Sequence, residues 1–191
     1  MEQALIEAVL NKKKSAFSIF YNEIVDHFYS FLKSSYNLSN EEINDIISDT
    51  FIKIWTKLDS FNKEKWDFLN WCWMILRNTT KDFFKKKEKS LYFSELSTST
   101  EENNSFEDNI KDEEDILEIL EQDFKSEQIK KAISNLKPLD KEILFLRFSE
   151  NKSFEEISKI IGLTPWNIRV KTHRILQNLK KLLKNCNNID S

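Results

Sequence analysis

Aromatic and cationic side chains are concentrated in one segment, DFLNWCWMILRNTTKDFFKKKEK, which runs from Asp67 to Lys89. With Trp66 just before it, this segment holds three of the chain's five tryptophans within eight positions, and it ends in a cluster of lysines. Such a combination suits a nucleic acid with unstacked bases, because lysines bind phosphates and aromatic rings stack on bases. The alternative is that Trp71 and Trp73 simply widen a hydrophobic core, and the residue types alone favour neither interpretation.

A second candidate nucleic-acid site lies near the C-terminus. A capping-box pattern at residues 153–156 begins a short helix, FEEISKII, which ends at Gly162, the only glycine of the chain. Thr164 then caps a second helix that has Pro165 at its first position. This order is typical of a helix-turn-helix motif. The second helix has no acidic residue between Thr164 and Ile189, so we expect it to enter a major groove. The alternative is a helical hairpin whose basic face is merely solvated.

Charge divides the chain into three parts. Residues 1–89 have 14 basic and 13 acidic side chains, residues 90–124 have one and 12, and residues 125–191 have 14 and seven. The middle part is rich in Ser, Thr, Asn, Glu and Asp, which is typical of a linker. We therefore expect two domains, residues 1–89 and 125–191, joined by an acidic linker at residues 90–124. The linker is either a solvated tether or an acidic strand that imitates nucleic acid or lies in a basic groove.

Helical periodicity in the first domain positions further candidate residues. Apolar side chains recur in steps of three and four through residues 17–32, which predicts one face of a helix. Ser39 with Glu42 three residues later forms a capping box, which predicts that the next helix begins just after Ser39. This helix has an apolar stripe and, on its polar face, Asp45 and Asp49. Composition alone favours a solvated surface for these two carboxylates. Together with the scarcity of glycine and proline, these patterns predict an all-α fold.

The helix that follows residue 67 poses the question of where its tryptophans point. At about 100° per residue, its core sector is complete without Trp71 or Trp73. The two side chains lie on opposite flanks of that sector. We therefore expect one edge of each ring to pack while one face stays available to a partner.

The sequence contains no pattern for catalysis or for a bound cofactor. A single glycine excludes Gly-rich phosphate loops, and neither His27 nor His173 lies near a GxSxG or HExxH motif. Cys72 and Cys186 are the only cysteines and form no CxxC, so neither a metal site nor a disulfide framework is expected. We expect no enzyme activity and no cofactor. Because neither a signal peptide nor a membrane-spanning run is present, we expect a cytoplasmic protein without membrane insertion.

In this order, the motifs resemble an extracytoplasmic-function (ECF) sigma factor of bacterial RNA polymerase, over about residues 16–89 and 132–183. The segment DIISDTFIKIW resembles the family's helix for binding the polymerase clamp helices. FLNWCWMILRN followed by KDFFKKK resembles the segment that melts and reads the −10 element. The segment from LKPLDKEIL to LQNLKKLL resembles the region that reads the −35 element. The resemblance implies sigma region 2 at residues 1–89 and a sigma region 4 helix-turn-helix at residues 125–191.

The resemblance also implies three sets of binding residues. Contact with the polymerase is implied for Asp45, Ile46, Asp49 and Phe51. Contact with −10 DNA is implied for Phe61, Trp66, Trp71, Arg77, Asn78, Lys81, Asp82, Lys85 and Lys86. The loop at residues 61–66 would then form the pocket for an extruded base. Contact with −35 DNA is implied for Thr164, Asn167, Arg169, Lys171, His173 and Arg174.

The function implied by the resemblance is that of a promoter-specificity subunit for transcription initiation. Its partners would be core RNA polymerase, promoter DNA and an anti-sigma factor, and the free protein would be a monomer. The sequence departs from the family pattern at Trp166, which takes the place of a usually small residue, and in a basic tail of lysine rather than arginine. Two other hypotheses are a helix-turn-helix regulator whose first domain dimerises and a degenerate sigma factor that no longer reads promoters.

Overall fold

The structure is a computed structural model, and it describes residues 1–87 and 127–187. Side chains are described for residues 1–87 and 131–181. The chain forms two compact units, and every regular element among the described residues is helical. The predicted all-α fold is therefore confirmed. The linker predicted for residues 90–124 lies outside the part of the chain that the structure describes.

The N-terminal unit is built from α-helices, and side chains cap the starts of the third and fourth of them. The helices are α1 (Gln3–Leu10), α2 (Lys14–Ser35), α3 (Asn40–Lys57), which a 3₁₀ turn (Leu58–Ser60) follows, and α4 (Phe68–Lys86). At the start of α3, Ser39 Oγ accepts a hydrogen bond from the Glu42 N–H at 3.2 Å. Glu42 Oε2 accepts one in return from the Ser39 N–H at 2.9 Å. The predicted capping box is thus confirmed. Asp67 caps α4, since its Oδ1 accepts from the Asn70 N–H at 3.1 Å.

Aromatic rings fill the core of this unit, in which α3 packs against both α2 and α4. Trp73 of α4 is 1% exposed, and its ring centroid lies 4.9 Å from that of Phe28 and 5.3 Å from that of Phe31 on α2. The expectation that Trp73 keeps a face available is therefore wrong, because rings from α2 reach that flank of α4. Other buried members of this core are Phe20, Leu32, Ile43, Ile46, Ile54 and Leu76.

The C-terminal unit is arranged around one long helix. From residue 127 onward the elements are α5 (Glu127–Ser134), α6 (Pro138–Leu144), a π-helical turn (Phe145–Ser149), α7 (Phe154–Ile161) and α8 (Pro165–Asn187). Helix α8 packs against α5 and α6. The apolar cluster between them consists of Leu144, Ile175, Leu176 and Leu179, with Ala132, Ile133, Leu136 and Phe148 against it.

The junction of α7 and α8 has the predicted helix-turn-helix pattern. Ser153 Oγ accepts from the Glu156 N–H at 3.2 Å, and Glu156 Oε2 accepts from the Ser153 N–H at 2.8 Å, so α7 begins with a capping box. Gly162 ends it with φ +86°, a left-handed conformation that favours glycine. Thr164 Oγ1 then accepts from the Asn167 N–H at 3.2 Å and caps α8. These local bonds fix the direction in which the first turn of α8 points.

Candidate polymerase and nucleic-acid interfaces

One face of α3 is exposed and acidic. Asp45 and Asp49 lie one turn apart on that face, with Ser48 between them, and all three side chains are exposed. Ile52 continues the same face and is 61% exposed, the largest value among the exposed large hydrophobic side chains of the described residues. The exposed isoleucine and the two carboxylates give this face both apolar area and negative charge.

The other two residues predicted to contact the polymerase lie beneath this face. Ile46 is 1% exposed and Phe51 is 5% exposed. The ring of Phe51 meets those of Phe20 at 6.0 Å and Phe28 at 5.7 Å. These side chains therefore position α3, and of the four predicted residues only Asp45 and Asp49 reach the surface. The polymerase contact itself stays a prediction.

The loop between α3 and α4 contributes a cluster of aromatic rings. Phe61 is half-buried, and its ring lies 5.4 Å from that of Phe68 and 5.2 Å from that of Trp71. We call these three residues the loop cluster. The rest of the loop is held by Asn62, whose carbonyl accepts from the Trp66 N–H at 3.1 Å and whose Oδ1 accepts from the Glu64 N–H at 2.8 Å. Trp66 is half-buried at its end.

Trp71 belongs more to the core than its position on the helix predicts. It is 6% exposed, because Phe61 covers the flank on which a free face was expected. Arg77, one of the predicted −10 contacts, is also buried, at 3% exposure. A direct base contact by either side chain would require it to become uncovered in the complex. Their DNA contacts stay predictions.

The exposed side of α4 holds the remaining predicted −10 residues. Asn78, Asp82, Lys85 and Lys86 are exposed, and Lys81 is half-buried. Asp82 forms an ion pair with Lys53 of α3 at 3.1 Å, so this carboxylate is partly neutralised. The helix then ends in a basic turn beside Lys87.

A second ion pair joins the end of α4 to the start of α3. Lys87 Nζ binds Glu42, the residue whose carboxylate also completes the capping box. The hydrogen bond from Lys87 and that from the Ser39 N–H hold the pKa of Glu42 below its ordinary value. A charged Glu42 near the N-terminus of α3 also interacts favourably with the helix dipole.

The first turns of α8 present the side chains predicted to contact −35 DNA. Thr164 and Asn167 are exposed, whereas Arg169, Lys171, His173 and Arg174 are half-buried. Lys171 forms an ion pair with Asp140 of α6 at 3.4 Å. Thr164 has a structural task as well, because its hydroxyl is the cap of the helix.

Arg169 is held by an aromatic ring of α7. Its guanidinium carbon lies 5.0 Å from the centroid of Phe154, and that of Arg147 lies 4.7 Å from the same ring. Arg147 Nη1 also donates to the carbonyl of Lys152 at 3.0 Å. Two guanidinium groups are therefore ordered on one phenyl ring at the start of the helix-turn-helix. Neither Arg147 nor Phe154 is among the site residues predicted from the sequence. From the sequence, Arg147 was detectable only as a basic residue between α6 and α7, in what the structure shows to be the π-helical turn, and nothing local indicated the stack.

The described residues give no support for metal or membrane chemistry. They contain no group of three or more His, Cys, Asp or Glu side chains that could hold a metal ion. None of the helices they form has both the length and the apolar character needed to cross a membrane. Burial raises the pKa of the Cys72 thiol well above its ordinary value, so this thiol stays protonated and packs as an apolar side chain.

Comparison with known proteins places both units in known families. Residues 20–90 match the family model of Sigma-70 region 2, and residues 126–179 match that of Sigma-70, region 4. The ECF RNA polymerase sigma factor BldN of Streptomyces coelicolor is 24% identical over 182 residues, which is 94% of this chain and 64% of BldN. The RNA polymerase sigma factor YlaC of Bacillus subtilis is 26% identical over 162 residues, 85% of this chain and 86% of YlaC.

A solved structure has the same fold. It is that of CnrH in complex with the cytosolic domain of CnrY, with a TM-score of 0.63 and 16% sequence identity. The match covers 95% of this chain and 96% of that chain. At this identity the likeness concerns the fold alone.

Proposed function

Since this chain belongs to the ECF-type sigma factors and has sigma-70 regions 2 and 4, we propose how its helices divide the task of promoter recognition. Region 2, which we place at residues 1–89, binds core polymerase and the −10 element. Region 4, which we place at residues 125–191, binds the −35 element, and the acidic segment at residues 90–124 joins the two. The observation that supports this most strongly is the capped, basic α8 after the glycine turn, because such a helix can enter a major groove.

The polymerase contact is the exposed face of α3. Asp45 and Asp49 supply negative charge for a basic partner surface, and Ile52 supplies apolar area that is already exposed in the free chain. Ile46 and Phe51 support this contact from within by fixing α3 on the core. This arrangement uses charge to select the partner and apolar burial to strengthen the complex.

The −10 element is bound by the loop at residues 61–66 and by the exposed side of α4. The loop, with Phe61 and Trp66 half-buried, receives an extruded base, because stacking on aromatic rings compensates for the loss of stacking in DNA. Trp71 supports Phe61 from beneath, and Trp71 and Arg77 would contact the DNA only if the complex uncovers them. The residues that lie along the DNA strand are Asn78, Lys81, Asp82, Lys85 and Lys86.

The −35 element is bound by the first turns of α8. Thr164 and Asn167 lie nearest the N-terminus, where helix-turn-helix proteins contact base edges. The cationic residues that follow, Arg169, Lys171 and Arg174, bind phosphates or guanine edges, and His173 lies among them. Each phosphate that a lysine or arginine neutralises makes binding more dependent on salt.

The partners of this protein follow from its family. The sigma factor RpoE from Bartonella quintana, a solved structure with a TM-score of 0.56 to this chain, forms a complex with the anti-sigma factor NepR, and we extend the expectation of an anti-sigma partner to this chain. We also place the protein in the cytoplasm, where core polymerase is found. The free chain is a monomer that has no catalysis of its own.

Transcription with purified bacterial core polymerase on a library of genomic fragments tests this proposal. We expect discrete start sites whose upstream sequences share a −35 and a −10 element. Gel filtration of the free chain should give a monomer, whereas a helix-turn-helix regulator that dimerises through its N-terminal helices should give a dimer. A chain that neither binds core polymerase nor directs any start site is not acting as a sigma factor.

A further inference from the structure

Trp166 is the one tryptophan that the structure leaves exposed. All five tryptophans lie among the residues whose side chains are described, and the other four are buried or half-buried. Trp166 is 56% exposed and is the second residue of α8, directly after Pro165. Exposing an indole costs free energy in water, so a large apolar surface at this position suggests a partner.

Helical geometry places Trp166 on the outward side of α8. Residues at i, i+4 and i+8 share one face of a helix, so Trp166, Val170 and Arg174 form one stripe. The opposite side packs inward, with Ile168 fully buried and Thr172 1% exposed. Val170 is half-buried and apolar. The outward stripe is therefore apolar in its first two turns and cationic in the third.

This order of chemistry identifies the class of ligand. Cations on the same helix, Arg169 and Arg174 among them, favour DNA over an apolar or basic protein surface. An indole and a valine cannot bind phosphate as cations do, and they offer base edges no bidentate hydrogen bonds. The apolar group that the major groove presents is the 5-methyl of thymine. An aromatic or aliphatic side chain at the N-terminus of a recognition helix is suited to contact it.

We infer that Trp166, with Val170 beside it, contacts thymine methyl groups in the −35 element and is a specificity-determining residue of this protein. The inference rests on the proposed function of α8 as the −35 recognition helix. It extends that function, because it names a base preference that the polar and cationic residues of α8 do not supply.

Single methyl groups on the DNA provide the test. A promoter is first selected from genomic fragments by holoenzyme containing the unaltered chain, and each thymine of its −35 element is then replaced by deoxyuridine, one at a time. This change removes the 5-methyl and keeps the pairing edge. We expect one or two replacements to weaken holoenzyme binding about fourfold each, the effect of one buried methyl group.

Variants of the protein assign the effect to the indole. Trp166→Ala should bind the thymine promoter more weakly and should be insensitive to deoxyuridine at those positions, so that the double-mutant cycle shows coupling. Trp166→Phe should keep most of the sensitivity, because it retains a flat apolar face. Thermal unfolding of Trp166→Ala should match that of the unaltered chain, since the side chain is outside the core.

Three results would overturn the inference. They are a selected −35 element without thymine, equal binding of thymine and deoxyuridine promoters by the unaltered chain, and a Trp166→Ala variant as sensitive to deoxyuridine as the unaltered chain. Failure of the proposed function is distinguishable from all three, because the unaltered chain would then yield no start sites in the selection step.

Discussion

Replacing Phe154 by leucine should weaken −35 binding without removing a charge. The ring is 7% exposed and lies under two guanidinium groups, those of Arg147 at 4.7 Å and Arg169 at 5.0 Å. Leucine keeps most of the apolar volume but has no aromatic face, so both side chains lose the surface on which they are ordered. The proposed DNA contact of Arg169 would then have to form from a mobile side chain.

The magnitude follows from the two contacts. Each cation–aromatic contact contributes about 0.5–1 kcal/mol at exposed sites and about 2 kcal/mol when desolvated, so the free energy of unfolding should fall by about 1–4 kcal/mol plus the cost of repacking. Ordering one long side chain on binding costs about 0.5–1.5 kcal/mol, which corresponds to about two- to 13-fold weaker binding if Arg169 alone is affected. Because both arginines remain, the slope of log affinity against log salt should not change.

Holoenzyme binding to a selected promoter at several salt concentrations measures both quantities. Phe148→Leu is the matched control, because it is the same substitution at a phenylalanine of the same unit. Phe148 packs on the apolar cluster. Arg169→Ala is the second comparison and should reduce the salt slope by about one. Phe154 does not order Arg169 for DNA binding if Phe154→Leu binds no more weakly than Phe148→Leu, or if the salt slope of Phe154→Leu falls as that of Arg169→Ala does.

Three further predictions concern region 2. Asp49→Lys should weaken core polymerase binding by reversing charge on the exposed face of α3, as measured by competition for core enzyme, while Asp26→Lys, an exposed control on α2, should not. Trp73→Ala should lower the free energy of unfolding, measured by urea titration, by about 3–5 kcal/mol, because removal of this 1% exposed ring leaves a cavity. Trp66→Ala should lower it by less, because Trp66 is only half-buried. Glu42→Gln should cost about 0.3–1 kcal/mol at neutral pH. Since the pKa of Glu42 is lowered in the folded chain, its charge stabilises above the ordinary pKa, and the difference from Glu42→Gln should vanish as the pH falls through the lowered value; a difference that grows in acid would contradict this.

Helix starts could be predicted from the sequence because a cap is a local hydrogen bond. Ser39 and Ser153 each bond a residue three positions away, and Thr164 does the same at the start of α8. Gly162 is similarly local, since its positive φ depends on the turn rather than on a distant neighbour. These features do not depend on tertiary packing, so the sequence alone is enough to predict them.

The environment of the tryptophans could not be predicted in this way. A helical wheel gives the direction of the Trp73 side chain but does not show whether another helix covers it. The rings that cover it, Phe28 and Phe31, come from α2, more than 40 positions earlier in the chain. Contacts over such a separation depend on how the helices pack. The stack on Phe154 also depends on how the helices pack, so it was not predicted. One of its arginines precedes Phe154 in the sequence and the other follows it.

Resemblance to a family assigns a function to a whole segment of sequence, and it does not tell which face of the helix is exposed. The segment DIISDTFIKIW was assigned to polymerase binding as a whole, so Ile46 and Phe51 entered the predicted set although their period is that of the core. Burial separates them from Asp45 and Asp49, and it shows Ile52 on the exposed side. Solvent exposure therefore decides which residues of a matched motif can meet a partner.

Packing of Trp71 favours the loop at residues 61–66, rather than Trp71 itself, as the place where an extruded base would stack. A base that stacked on Trp71 itself would have to displace Phe61. The protein would then lose the contact between Phe61 and Trp71 at 5.2 Å in exchange for the contact with the base. A base that stacks on Phe61 or Trp66, which are half-buried, keeps the loop cluster intact and adds a ring to it. The second arrangement costs less reorganisation, because the rings beneath are already in place before DNA arrives. We therefore expect Trp71 to contribute to strand capture by holding Phe61, and we expect the loop at residues 61–66, rather than the helix that follows it, to determine which base is accepted.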